Sequence, residues 1–206
     1  VDALLFSLPS GIKDRTEYLE GRVEENPALA ISNVLLRLEQ AGAREAGIPC
    51  NTAHVNRIFS AILAELKQKG STMRVLHMIS ETISYMKAFH PQLKKIGVLS
   101  TTGTYRSKVY VEMLESDGYE VLVPHQEMQE KLIHPAIYDP VYGIKSKAEP
   151  IHPLARANLQ NGFSELKNLG AKAVILGCTE IPLAFPEALI QGMVSIDPTQ
   201  VLARAL

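Results

Sequence analysis

The sequence predicts an α/β fold of two pseudo-symmetric lobes, each a parallel sheet flanked by helices, around a shared cleft. Short apolar runs alternate with amphipathic helical patterns along most of the 206 residues. The two cysteines close two stretches of chain that match one another without a gap. Hydrophobic residues make up 46% and charged residues 21%, which is the composition of a well-cored globule.

The elements follow in chain order. Ala3–Leu8 is a compact apolar run and reads as a strand. Ala28–Gln40 has helical periodicity, with Gly42 placed to close it. Ala46–Pro49 reads as a strand but a weak one, because Arg44, Glu45 and Gly47 interrupt its apolar character. The next helix starts near Asn51, which with Thr52 offers capping side chains. Val55, Ile58, Phe59, Ile62, Leu63 and Leu66 then step by three and four along one stripe, and Gly70 ends it. Further strands are expected at Arg74–Ile79, Lys95–Ser100, Glu120–Val123, Ala171–Gly177 and Met193–Ile196. His125–Pro153 is less regular and rich in proline and aromatic residues. A segment of that length is either a functional lid or a surface excursion with short helical turns.

The internal match joins "LEQAGAREAGIPC", ending at Cys50, to "LKNLGAKAVILGC", ending at Cys178. Each copy reads as a helix end, a glycine cap, a strand, and a cysteine where the strand stops. In open parallel sheets, ligands bind beyond the carboxyl ends of the strands. A thiol there lies close to a helix N-terminus, where backbone N–H groups favour a thiolate. Two facing lobes would set one thiol on each wall of the cleft.

Two cysteines are too few for a secreted disulfide scaffold or a cysteine-based zinc site, and the six histidines lack metal-ligand spacing. No metal is therefore expected, and free thiols suit a cytoplasmic location. A net charge of −1 without a basic block argues against nucleic acid. No apolar run approaches the roughly 18 residues of a membrane span. Acid–base or nucleophilic chemistry remains for the pair, beside the plainer reading of each cysteine as a core residue.

"IPCNTAH" and "GCTEIPL" resemble the two catalytic motifs of the aspartate/glutamate racemase superfamily. "SGIKDRTEYL", "GVLSTTGT", "VYGIKS" and "SIDPT" extend the similarity over nearly the whole chain, and Glu180 after Cys178–Thr179 favours the aspartate racemase branch. The resemblance implies a racemase without cofactor. Cys50 and Cys178 would be its acid/base pair, one thiolate accepting the α-proton and one thiol returning a proton to the opposite face. It implies a substrate site built from Arg15, Asn51, Thr52, Thr101, Thr102, Lys145, Thr179 and Glu180. Arg15 and Lys145 would meet carboxylates. Glu180 would either accept from the substrate ammonium or sit at a helix start, and His54 would tune Cys50 or serve structure alone. The substrate would be aspartate, and glutamate as a second candidate; a homodimer is implied as well. Residues 1–93 with the tail 186–206 would form the first lobe and 94–185 the second. The superfamily's opening strand and Gly-Gly-Met loop have no counterpart ahead of "DALLFSLPS", so the first sheet is expected to lack a central strand. That gap keeps a catalytically impaired binding protein in view as a rival. Hydantoin racemase, maleate isomerase and a redox pair of thiols are the others.

Overall fold

The computed structural model describes residues 2–206. Two sheets carry the molecule. The smaller pairs β1 (Glu45–Gly47) with β2 (Arg74–Leu76) in parallel, Ala46 facing Val75. The larger contains β3 (Lys95–Ser100), β4 (Glu120–Leu122), β5 (Ala173–Gly177), β6 (Leu189–Ile190) and β7 (Met193–Ile196), in the order β4-β3-β5-β7-β6. Its first four strands in that order are parallel, and β6 closes the edge antiparallel to β7.

The small sheet is covered by α2 (Ala28–Gln40) and α3 (Asn56–Gln68). Ile31 and Leu35 meet Ile58, Ile62 and Leu66 above Ala46. The stripe read from the sequence of α3 is therefore its buried face, except for Leu63, which stays 43% exposed at the flank. The large sheet is buried on both sides. Ala173 and Ile175 of β5 face Ile79 and Ile83 of α4 (Met78–Phe89) and Tyr110 of α6 (Val109–Ser116). Val174 and Leu176 face Leu159 and Phe163 of α9 (Pro153–Asn168). A strand buried on both faces has no polar alternation to show, which is why "AVILG" reads as continuously apolar.

Five expectations change. The helix expected from near Asn51 begins at Asn56, after a 3-10 turn over Asn51–His54, and neither Asn51 nor Thr52 caps it. Ala3–Leu8 forms no strand: no sheet edge receives it, and Leu5 remains 93% exposed. Apolar character supplies a strand only when a partner takes its backbone hydrogen bonds. The strand expected over Arg74–Ile79 stops at Leu76, because the His77 ring accepts from the Ser80 N–H and starts α4. The tail 186–206, expected with the first lobe, divides. Its strand β7 is bonded to β5 of the large sheet, and only α11 (Pro198–Ala205) reaches back. There Leu202 packs on Leu76 and Met78 and fills the space above Gly47. Finally, β6 was not foreseen. Gln191 and Gly192 both take positive φ, and this two-residue turn matches the twist of a hairpin.

The irregular segment after β4 is largely helical. α7 (Gln126–Met128) runs through a π turn, Gln129–Ile133, into α8 (His134–Tyr138). Pro135 lacks an N–H for the helical ladder, and widening the preceding turn accommodates that loss. Gln129 is fully buried there and donates to the Ser100 carbonyl at the end of β3. The segment is thereby anchored to the strand ends, and the chain beyond α8 turns back toward the cleft.

Candidate active site

Cys50 and Cys178 stand just beyond the carboxyl ends of β1 and β5, on the walls of one cavity of about 360 Å3 including its open mouth. Both are free thiols. Arg15, Asn51, Thr52, Thr101, Lys145, Thr179 and Glu180 line the same cavity. Thr102 does not: it is buried, with its hydroxyl 3.4 Å from the Gln129 amide. Its neighbour Thr101 turns toward the cleft, since successive residues leaving a strand point opposite ways.

The two thiols have different surroundings. Cys178 is buried, and its S–H donates to Glu180 Oε2 at 2.8 Å. The Thr179 hydroxyl donates to the same oxygen at 3.0 Å. Burial, and then the adjacent Glu180 carboxylate, push the Cys178 thiol well up, so it rests protonated. Cys50 is only half-buried. Its N–H donates to the Ile48 carbonyl at 2.8 Å, and its own carbonyl accepts from Ala53 N–H at 3.0 Å, opening a 3-10 turn over Asn51–His54. Arg15 lines the same cavity as Cys50. Burial opposes the guanidinium's charge, but the Cys50 sulfur, Asp14 and Tyr138 outweigh it and hold the Arg15 pKa up.

The side chains after Cys50 are fixed from the other lobe. The Tyr110 hydroxyl donates to Asn51 Oδ1, leaving the buried Nδ2 of Asn51 without a protein partner. A buried donor left open in this way costs free energy until something accepts from it. The Thr52 hydroxyl bonds to Thr104 at 2.9 Å, with Thr101 at 3.4 Å. Those hydroxyls knit the two lobes together, so Thr52 has less freedom to meet a substrate than its position in the sequence implies. His54 does not line the cavity; its Nε2 is 3.0 Å from the Ile48 carbonyl, and burial lowers its pKa to about 4.

The profile of the Asp/Glu/Hydantoin racemase family matches residues 2–206. The chain belongs to that family. Within the family it is similar to the broad specificity amino-acid racemase RacX of Bacillus subtilis (strain 168), with 30% identity over 74% of this chain and 59% of RacX. It is 28% identical to a glutamate racemase of Pseudomonas aeruginosa (strain UCBPP-PA14), over 97% of this chain and 66% of that enzyme. The chain thus spans less than two thirds of the length of either relative. Among solved structures, the Picrophilus torridus aspartate racemase superposes with a TM-score of 0.75 at 28% identity, covering 98% of this chain and 76% of that one.

Two residues at the cations were missed in the sequence. Tyr138 lines the cavity, and Asp14 stands behind it: Tyr138 OH donates to Asp14 Oδ2 at 3.0 Å and accepts from Lys145 Nζ at 2.8 Å. Asp14 precedes Arg15 in "KDRT" and looks like an ordinary helix cap, which it also is. Tyr138 lay within the aromatic-rich segment, and nothing local to it distinguished it from Tyr142. Among the described residues no group of three or more His, Cys, Asp or Glu is placed to hold a metal, and no helix is long and apolar enough to cross a membrane.

Proposed function

We propose that this chain interconverts the L and D forms of an acidic amino acid, aspartate first and glutamate second, by two-base proton transfer between Cys50 and Cys178, without pyridoxal or metal. The observation that carries the reading is one cavity with a thiol at each of two strand ends, one beside a guanidinium and one hydrogen-bonded to a carboxylate. Arg15 gives a Cys50 thiolate its counter-ion, while Cys178 is held as the thiol. The Cys50 thiolate takes the α-proton from one face, and the Cys178 S–H bond breaks to deliver a proton to the other. The products are the opposite isomer, a Cys50 thiol and a Cys178 thiolate. The new thiolate lies beside Glu180, so a substrate ammonium against that carboxylate lowers the repulsion between them. Arg15 and Lys145 supply the cations for two carboxylates, and Asn51, whose buried Nδ2 has no partner within the protein, lines the same cavity. The likeness to the P. torridus aspartate racemase, to a glutamate racemase and to RacX supports the amino-acid class. A homodimer, on the family resemblance alone, and a cytoplasmic location, on the two free thiols, complete the reading.

The test is proton NMR of L-aspartate and L-glutamate with the chain in deuterated water, followed by chiral chromatography. Loss of the α-proton signal with appearance of the D isomer is expected. Binding of either amino acid without any exchange would overturn the reading in favour of a binding protein.

A further inference from the structure

The cations of the cleft come from distant parts of the chain, and an identifiable set of bonds links the two segments that carry them. Asp14 Oδ1 accepts from the N–H groups of Thr16 and Glu17 at 2.8 and 3.0 Å, which locks its carboxylate to the start of α1 (Arg15–Leu19), where Arg15 sits. Its second oxygen, Oδ2, accepts from Tyr138 OH at 3.0 Å and lies 3.6 Å from Lys145 Nζ. The Thr16 hydroxyl stands 3.3 Å from the same phenol. On the other side Lys145 Nζ donates to Tyr138 OH and rests 4.0 Å from the centre of its ring. The backbone registers this pair as well: Lys145 N–H donates to the Ile137 carbonyl and Ile144 N–H to that of Ala136, each at 3.0 Å. Gly143 permits the turn between them, since a Cβ there would lie 2.5 Å from the Asp139 nitrogen. The helix start that carries Arg15 is thus tied to Asp14, Asp14 to Tyr138, and Tyr138 to Lys145.

A lysine with a free stem swings to meet a carboxylate at various distances. Lys145, held at phenol and carboxylate, does not. We infer that Tyr138 is a positioning residue that sets the spacing of Lys145 from Arg15, and through it selects substrates by the separation of their two carboxylates. The inference rests on the proposed reading of Arg15 and Lys145 as carboxylate partners. Its ligand class is the short dicarboxylate, with four-carbon chains favoured over five. Discrimination by one methylene in a fitted site is about 10–200-fold.

Y138F keeps the ring over Lys145 and removes only the hydroxyl that links the two sides. Calorimetry with succinate and glutarate, which need no turnover, measures the spacing directly. kcat/KM for L-aspartate and L-glutamate measures its consequence. The wild type is expected to favour the shorter member of each pair by about tenfold or more, and Y138F to bring that ratio to within about twofold of unity, chiefly through KM. D14N keeps a helix-capping side chain but loses the charge facing Lys145, and it should reduce the ratio in the same direction. A selectivity ratio unchanged in both variants would overturn the inference, because a merely structural tyrosine would lower stability without changing the preference. A preference for succinate over glutarate that is lost in Y138F, with no exchange of either amino acid, would instead overturn the racemase reading while upholding the role of Tyr138.

Discussion

Cys50 and Cys178 follow corresponding strands, β1 and β5, yet the molecule builds the two stations differently. β5 is an interior strand between β3 and β7, with all five of its residues buried. Cys178 is positioned by packing, and its chemistry is set by two neighbours in sequence, Thr179 and Glu180. β1 has three residues and one partner strand, and Glu45 at its start is exposed. Cys50 is positioned instead by hydrogen bonds: the Ile48 carbonyl collects the Cys50 N–H and the His54 ring, the His77 ring meets the His54 carbonyl at 3.3 Å, and Tyr110 and Thr104 hold Asn51 and Thr52. A short strand with little apolar surface cannot fix a reactive group by burial alone, so polar side chains from both lobes fix it.

The largest test of this comparison is chemical. Cys50→Ala and Cys178→Ala should each lower racemisation by about 10²–10⁴-fold, the usual worth of a positioned acid or base. The NMR and chiral assay checks it, and full activity in either variant would end the two-base account. The next test is acid. The His54 pKa is depressed to about 4 by burial, so its stabilising neutral form is fully present above the unfolded value of 6.5 and is lost as the pH falls toward 4. His77, also lowered chiefly by burial, acts in the same direction. Urea unfolding should show stability dropping by up to about 3 kcal/mol across that window. Hydrogen exchange should show protection lost first at 51–54 and last at 173–177; simultaneous loss would remove the distinction drawn between the stations.

Smaller effects should follow from the glycines of the two strands. Gly177→Ala places a Cβ 2.8 Å from the Ser100 Cβ and 3.1 Å from the Leu99 carbonyl oxygen, where the sheet cannot yield easily. A loss of about 1–3 kcal/mol is expected in urea titrations. Gly47→Ala meets only the side chain of Leu202, at 2.9 Å, and a rotamer change on α11 relieves that contact. Its cost should stay below about 1 kcal/mol. The reverse order would mean that the small sheet is the more rigid of the two.

Much of this organisation is a local property of the sequence. The run "AVILG" announces a doubly buried strand, the periodicity of 55–66 gives the inner face of α3, and "AREAG" already shows that β1 is weak. The matched cysteines at strand ends need only neighbouring residues to be recognised. What the tertiary structure decided are pairings with no local signature. Tyr138 meets Asp14 across 124 residues of chain, Thr52 turns to Thr104 rather than to open space, Thr102 turns away from the cleft, β7 joins the large sheet, and Ala3–Leu8 finds no edge to join. The reason is physical. Propensity, capping and periodicity act over a few residues and fix what an element is. Which side chains face one another across a cleft depends on how whole elements pack, and each of those arrangements is compatible with the same local pattern.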